Sequence, residues 1–394
     1  MMRDSFQVDE PVRLCDRLRL VRFDRNELAG SFGDIGTDLP LIVGILLATG
    51  MDAASVFIVF GLLQIVTGVV YGLPMPVQPL KAMAILVITQ EIAGEVLLGA
   101  GLAIGLTMLV LTLSGGLELL VKWIPLCVVR GVQFGLGLSL ALLALKTYVP
   151  SRGVSGYLVA LAGLSIMLFL WGNRRVPPGL LVIGLGLIYA LATGLDASHI
   201  ADGFGLALPT FHRPEWSHIW SGFVVLALPQ IPLSLSNSLI ATERTIRDFF
   251  PARAIGVRKI GLTYSIMNLV APLFGGIPVC HGCGGIAGHY AFGARTGGSV
   301  VVYGTFYLLI GLFLSKPLGE VLKIFPHPIL GVVLLFEALS LLALVRDQAQ
   351  APRNLMIALL VGVVALTVPH GFVVGLILGT VVFYAFPRFG WAAE

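Results

Sequence analysis

Apolar residues dominate long stretches of this chain, and short polar connections separate them. A helix needs about 20 consecutive apolar residues to cross a bilayer, so these stretches predict an all-α polytopic membrane protein with fourteen transmembrane segments. The predicted spans are residues 30–49, 52–72, 78–91, 96–115, 131–147, 155–172, 179–195, 219–241, 256–274, 281–293, 298–315, 328–345, 353–369 and 371–387.

Two of these segments, the third and the tenth, are short and resemble each other. Each follows an x-Pro-Val step, at Pro76-Val77 and at Pro278-Val279, and the two prolines are 202 positions apart in a chain of 394 residues. A pair of short, Gly/Pro-interrupted segments at matching places in two halves indicates a transport site in a membrane protein. We therefore expect two half-helices, although ordinary proline-kinked helices would give a similar pattern.

The two halves are predicted to be repeats. Residues 30–195 and 217–387 each hold seven spans, and 196–216 connects them. Amphipathic pieces at 117–129 and 317–326 recur at a similar offset. Seven spans is an odd number, so the second repeat must be inverted relative to the first. Lys and Arg concentrate in the loops on the side of the N-terminus, which predicts that both termini are cytoplasmic and that 1–29 is a cytoplasmic segment without a signal peptide.

Composition agrees with a membrane protein and excludes several other classes. Hydrophobic residues make up 57% of the chain, charged residues 12%, and mean hydropathy is +0.95, whereas soluble domains carry about 25% charged residues. The net charge of +4 gives no reason to expect a nucleic-acid partner. The sequence has no phosphate-binding G-x-x-x-x-G-K-[ST] loop, which favours a secondary transporter, with no cofactor, over an enzyme or a pump.

The starts of the two half-helices form a candidate anion site. Unpaired N–H groups and the positive end of the helix dipole meet there. Gln78, Pro79 and Lys81 belong to the first copy, and Gly282 and Gly284 to the second. Lys81 could attract the anion directly, snorkel to an interface or pair with a carboxylate of the first span, because a lysine inside a membrane needs such a partner.

The first span opens with Asp34, Thr37 and Asp38. The two carboxylates are four residues apart, on one helix face. They could carry a coupling proton, pair with Lys81 or Arg295, or simply be solvated at a helix start. Thr37 joins the candidate substrate-binding residues as a hydroxyl beside Asp34.

The eighth span is unusually polar for a membrane helix. Gln230, Ser234 and Asn237 lie in it beside two prolines. Neutral amides and hydroxyls can donate to oxyanion oxygens, but they also form hydrogen bonds between membrane helices, and both interpretations stay open.

Cys280, His281 and Cys283 form a C-H-x-C stretch at the second half-helix. A zinc or iron–sulfur site would need more soft ligands than this stretch supplies, and a redox dithiol is a further alternative. Small polarisable residues at a half-helix start are the preferred interpretation, with His281 as a third candidate for proton coupling. No metal is expected.

Four stretches carry a family resemblance: GSFGDIGTDLPLIVGI, PMPVQPLKAMA, LPQIPLSLSNSLIATE and IPVCHGCGGIAGHYAFGART. In this order they resemble the molybdate transporter family, which is related to the SulP sulfate permeases. The resemblance implies a core domain (about 30–115 and 217–315), a gate domain (about 117–195 and 317–387) and an oxyanion site between spans three and ten. SulP permeases usually end in a cytoplasmic STAS domain, and none is expected here. The resemblance also implies a homodimer.

The expected function is uptake of a tetrahedral oxyanion, molybdate first, across the cell membrane by elevator-like movement. A sulfate transporter would have the same architecture. A nucleobase symporter shares the fold class but is expected to carry a carboxylate within span eight or ten, where this sequence has none in mid-span. A membrane redox or metal protein using the Cys/His stretch is the alternative from a different class.

Overall fold

The computed structural model describes residues 21–117, 123–170, 173, 178–193, 204–253, 255–314 and 325–385. Most of these residues are helical. The predicted N-terminal segment 1–29 is thus described from residue 21 and the connection 196–216 from residue 204. Residues 118–122 of the predicted amphipathic piece 117–129 and residues 317–324 of the piece 317–326 lie outside the described residues.

The described residues of the first half form eight α-helices and a turn region of mixed helix type. Asp24 caps α1 and Asp52 caps α3, each with its carboxylate on two backbone N–H groups of the first turn. Between α6 and α7 the chain continues as a π-helix and a 3-10 helix. The helices are α1 Arg25–Gly30, α2 Ile35–Thr49, α3 Ala53–Tyr71, α4 Lys81–Gln90, α5 Gly94–Ser114, α6 Leu126–Leu143, α7 Gly153–Phe169 and α8 Pro178–Thr193.

Seven longer helical stretches lie in the described part of the second half, and the first of them is the most irregular. Pro229 and Pro232 each remove a backbone donor from α9, and π-helical segments at Phe223–Ala227 and Ser234–Ala241 lie on either side of them. The helices are α9 Trp216–Phe249, α10 Val257–Val270, α11 Cys283–Ala291, α12 Gly298–Phe313, α13 His327–Ala343, α14 Pro352–Thr367 and α15 Gly371–Ala385.

Each of the fourteen predicted spans overlaps one of the helices α2 to α15. Within the described residues, five helical stretches are long and apolar enough to cross a membrane, and six further apolar helices are shorter. The fifth span was predicted to start at 131, but α6 starts at Leu126, directly after Pro125. The five long stretches are Ala53–Tyr71, Gly94–Ser114, Leu126–Phe169, Trp216–Phe249 and His327–Gln348.

A two-stranded antiparallel ribbon precedes the two short helices, so the prediction of an all-α protein was incomplete. Strand β1, Val77–Pro79, pairs with strand β2, Val279–His281. Gln78 lies opposite Cys280 in the register. Three-residue strands beside prolines are too short to give a period-two pattern, which is why the sequence predicts extended chain there but no sheet.

Two side-chain amides satisfy the outer edges of this ribbon. On β1, Gln64 of α3 donates to the Val77 carbonyl at 2.7 Å and accepts from the Val77 N–H at 2.8 Å. On β2, Asn268 of α10 makes the same pair of bonds to Val279, at 2.6 and 2.9 Å. Irregular backbone inside a membrane needs such partners. The two amides occupy equivalent places in the two halves and hold both strands.

Close packing between glycines holds α3 against α12. A Cβ added at Gly61 would lie 2.6 Å from the carbonyl oxygen of Gly304, and a Cβ at Gly304 would lie 2.6 Å from the carbonyl oxygen of Gly61. Small residues at membrane helix interfaces allow backbones to approach in this way. The pair joins the first-half and second-half helices behind the ribbon.

We predict that Gly61→Ala lowers the melting temperature of the purified protein, because the new methyl group meets backbone atoms that cannot turn away. Gly184→Ala in α8 is the matched control, since a Cβ there meets nothing within 4 Å. Thermal unfolding of both variants in one detergent measures the difference. Equal melting temperatures would contradict this packing.

Candidate anion-binding site

The two short helices begin side by side, because each follows one strand of the ribbon. α4 begins at Lys81 and α11 at Cys283, and the residue before each start makes no side-chain cap. In α11 the N–H of Ile286 donates to the carbonyl of Gly282 at 3.3 Å. The N–H groups of the residues before Ile286 are those that a helix start leaves free for a ligand. Together with the dipole they make a site suited to an anion.

A cavity of about 180 Å³ lies beside these helix starts. That volume suits a small ligand, since drug-sized ligands occupy about 300–1,000 Å³. Its wall combines residues of the ribbon, both short helices, α6, α9 and α13 with the first residue after α13. They are Gln78, Lys81, Gln133, Gln230, Leu233, Asn237, Ser238, Cys280, Cys283, Gly284, Glu337, Ser340, Leu341 and Leu344.

The predicted site residues divide between this wall and the layer behind it. Alternation along a strand explains part of the division, because the opposed pair Gln78 and Cys280 faces the cavity and the neighbouring strand residues face away. On the wall are Gln78, Lys81, Gln230, Asn237, Cys280, Cys283 and Gly284. The wall does not include Asp34, Thr37, Pro79, Ser234, His281 or Gly282.

Asp34 and Gly282 fix the position of the Gln78 amide. The amide nitrogen donates to the Asp34 carboxylate at 2.5 Å. A Cβ at Gly282 would lie 1.6 Å from the Gln78 amide oxygen, so glycine at this position leaves room for the amide. Asp34 is buried and is the residue before the first turn of α2. The sequence allowed an ion pair of Asp34 with Lys81 or Arg295. In the structure, the Asp34 carboxylate instead positions the Gln78 amide.

Gln230 caps the first half-helix. Its amide oxygen accepts from the backbone N–H groups of Ala82 at 2.9 Å and Met83 at 3.4 Å. Its amide nitrogen donates to the Ser234 hydroxyl at 3.0 Å, and that hydroxyl is 2.8 Å from the Tyr264 hydroxyl. The polar residues of the eighth span therefore serve helix contacts in large part. Two backbone N–H groups at the start of α4 are therefore already bonded to Gln230. No side chain caps the start of α11.

Lys81 pairs with a carboxylate that the sequence analysis did not single out. Its ammonium nitrogen is 2.6 Å from an oxygen of Glu337 on α13. Glu337 is the only charged residue of the predicted span 328–345, and an ionisable residue inside a membrane helix is a functional candidate for that reason alone. That signal could have identified it. Gln133 and Ser340, also on the wall, carry no comparable signal.

Asn237 and Cys283 meet across the cavity wall. The Cys283 thiol donates to the Asn237 amide oxygen at 3.1 Å. Asn237 lies in the π-helical segment Ser234–Ala241 of α9, and such widened turns are frequent at functional sites. The contact gives the thiol a hydrogen-bonding role. Among the described residues, no group of three or more His, Cys, Asp and Glu side chains could hold a metal ion.

The side chains of His281, in strand β2, and of Asp38, in α2, are buried away from the cavity. One ring nitrogen of His281 is 3.0 Å from the Thr263 hydroxyl, and the other is 3.4 Å from the Pro76 carbonyl. One oxygen of Asp38 accepts from the Tyr303 hydroxyl at 3.2 Å, and within the described residues the other oxygen has no hydrogen-bond partner. Neither side chain lines the cavity.

The fold is shared with solved anion transporters. Murine Solute Carrier 26 family member A9 (Slc26a9), an anion transporter in the inward-facing state, matches with a TM-score of 0.70 at 12% identity over 95% of this chain and 71% of that one. The transmembrane domain of the cyanobacterium bicarbonate transporter BicA matches with a TM-score of 0.64 at 16% identity, over 92% and 98%. The chain therefore shares the fold of these two proteins.

Sequence comparison gives the family. The pattern of the family described as "Molybdate transporter of MFS superfamily" matches residues 26–140 and 222–341. Molybdate transporter 1 of Arabidopsis thaliana is 33% identical over 371 residues, which cover 82% of this chain and 80% of the relative. Molybdate transporter 2 of the same plant is 33% identical over 378 residues, covering 84% and 81%. The chain belongs to this molybdate transporter family, as the sequence resemblance predicted.

We predict that Gly282→Ala lowers the melting temperature, because the new methyl group displaces the Gln78 amide and leaves the buried Asp34 carboxylate without its donor. An unsatisfied buried group costs about 1–3 kcal/mol. The same substitution should cost much less in a Gln78→Ala background, where the methyl group has room. A double-mutant cycle of melting temperatures measures this, and equal losses in both backgrounds would contradict the contact.

Proposed function

We propose that this protein is a secondary active transporter that takes up molybdate across the cytoplasmic membrane. The observation that carries the proposal is the convergence of three kinds of donor on one cavity. These are the uncapped start of α11, the Lys81 ammonium and the amides of Gln78 and Asn237. Helix starts bind oxyanions, and amides can donate to their oxygens. The names of the plant relatives support molybdate as the particular anion.

We further propose that α2 to α15 form two inverted repeats of seven spans, with a core domain (30–115 and 217–315) that moves past a gate domain (117–195 and 317–387). The antiparallel ribbon and its two equivalent amide partners support the inversion. With both termini in the cytoplasm, the end of α13 lies on the cytoplasmic side. The cavity reaches Leu344 at that end, which supports an inward-open conformation as part of the same proposal. A homodimer through the gate domain belongs to the same proposal.

The direct test is ligand binding by the purified protein in calorimetry. We expect molybdate and tungstate to bind, because both are tetrahedral dianions, and uracil not to bind. Sulfate is the second candidate within the same class, since the same donors would bind it, and its affinity relative to molybdate decides between the two. Binding of uracil alone would refute an oxyanion transporter.

We predict that Gln78→Ala and Asn237→Ala each weaken molybdate binding at least about tenfold, or ~1.4 kcal/mol. Each substitution removes a cavity amide while leaving the helix starts in place. Thr305→Ala is the control, because that exposed hydroxyl on α12 bonds only within its own helix in the described structure. Unchanged affinity in both cavity variants would remove these amides from the site.

Proton coupling is proposed at Asp38. Its unpartnered carboxylate oxygen is buried, and a bound proton would relieve the cost of an unpaired buried charge. The other two candidates are less suitable, because Asp34 holds Gln78 and both ring nitrogens of His281 have polar neighbours.

We predict that Asp38→Asn abolishes molybdate accumulation driven by a proton gradient in proteoliposomes, while exchange of internal for external molybdate continues. Asp248→Asn, at an exposed carboxylate, should accumulate molybdate like the wild type. Normal gradient-driven accumulation by Asp38→Asn would exclude Asp38 as the proton carrier.

A further inference from the structure

The Lys81–Glu337 ion pair stands at the boundary between two groups of helices. Lys81 is the first residue of the short helix α4, and Glu337 lies within α13. The charged atoms are 2.6 Å apart, and their side chains are only 24% and 11% exposed. Both residues line the cavity. This contact therefore joins the helix that starts at the candidate site to a helix of the proposed gate.

An oxyanion in the cavity would compete with this pair. A carboxylate and a tetrahedral oxyanion offer the same kind of oxygen acceptor to the lysine ammonium. An anion held at the start of α11 would lie in the same small cavity as this ion pair, so the two anions would compete for one ammonium. The ammonium has three donors but a single positive charge, so it can fully neutralise only one of the two anions.

The other carboxylates near Lys81 are already engaged elsewhere. Asp34 bonds to Gln78 and Asp38 to Tyr303. The thiols of Cys280 and Cys283 are also on the cavity wall, but Glu337 is the carboxylate that contacts the lysine in the described structure. A substrate that reaches Lys81 must therefore displace Glu337 in particular.

We propose that Glu337 is an internal counter-anion, which holds Lys81 while the cavity is empty and gives it up to the substrate oxyanion. This inference rests on the proposed function and deepens it. The ion pair ties α4 to α13 across the boundary between the two proposed domains while the cavity is empty. A bound oxyanion neutralises Lys81 in place of Glu337 and releases that tie. Substrate occupancy thereby decides which anion neutralises Lys81 and whether α4 is tied to α13.

A second ion pair supplies a matched control. Arg130 of α6 pairs with Asp347 at 2.6 Å, and Asp347 lies in the 3-10 turn after α13. Both partners belong to the proposed gate, and neither lines the cavity. Asp347→Asn changes a carboxylate to an amide, as Glu337→Gln does, and removes the same unit of charge. It leaves the competition at Lys81 untouched.

The test is molybdate affinity, measured by calorimetry on the purified full chain. Glu337→Gln is expected to bind molybdate at least about tenfold more tightly than the wild type, because the competing anion is gone. Asp347→Asn is expected to bind like the wild type. In a Lys81→Met background, adding Glu337→Gln should change the affinity by less than about threefold, since no lysine remains to compete for.

Each outcome separates the two proposals. Unchanged or weaker binding by Glu337→Gln, with wild-type binding intact, overturns the counter-anion role and leaves the proposed function standing. An equal gain with and without Lys81 also overturns it, because Glu337 would then act without the lysine. No oxyanion binding by either the wild type or Glu337→Gln contradicts the proposed function itself. Should Glu337→Gln not fold, Glu337→Asp keeps the charge but shortens the side chain that reaches Lys81. It is expected to bind molybdate more tightly than the wild type, and unchanged or weaker binding by Glu337→Asp overturns the counter-anion role.

Discussion

Backbone polar groups that leave a helix inside a membrane must find partners within the protein, and this constraint shapes the centre of the structure. Two half-helices need an extended stretch before each start, and those stretches satisfy each other as the ribbon of β1 and β2. Gln64 and Asn268 satisfy the outer edges. Because β1 pairs with β2, the helices that follow them, α4 and α11, start side by side, and the cavity lies beside these two starts.

The two copies of this arrangement are alike in backbone and different in chemistry. At α4, the Gln230 amide oxygen occupies part of the helix start, and Lys81 supplies a charge that Glu337 balances. At α11, a run of glycines follows Cys283 and no side chain caps the start. The cavity therefore offers an anion uncapped backbone N–H groups at α11 and the Lys81 ammonium at α4. That asymmetry gives the site one strongly donating surface and one that a competing carboxylate can regulate.

Much of this could be predicted from the sequence, because the relevant signals are local. The apolar runs gave the positions of the helices, and the Pro-Val steps gave both half-helices. Pairings between distant residues were not predictable in the same way. The sequence left three environments open for Lys81: a bound anion, the membrane interface and a carboxylate of the first span. Its actual partner, Glu337, is 256 positions away. The Gln230 amide could bind a ligand or cap a helix equally well by its donors and acceptors. It caps α4 because α9 passes beside the start of that helix. The ribbon was missed because three residues are too few to show alternation.

The central claim is that an oxyanion binds between the starts of α4 and α11. The most direct measurement is a structure of the protein with tungstate, whose heavy atom identifies the ligand by its scattering. We expect the tungsten peak in the cavity, within hydrogen-bonding reach of the Gly284 N–H and the Lys81 ammonium through the anion's oxygens. A peak at another place in the protein, with this cavity unoccupied at saturating tungstate, would contradict the claim.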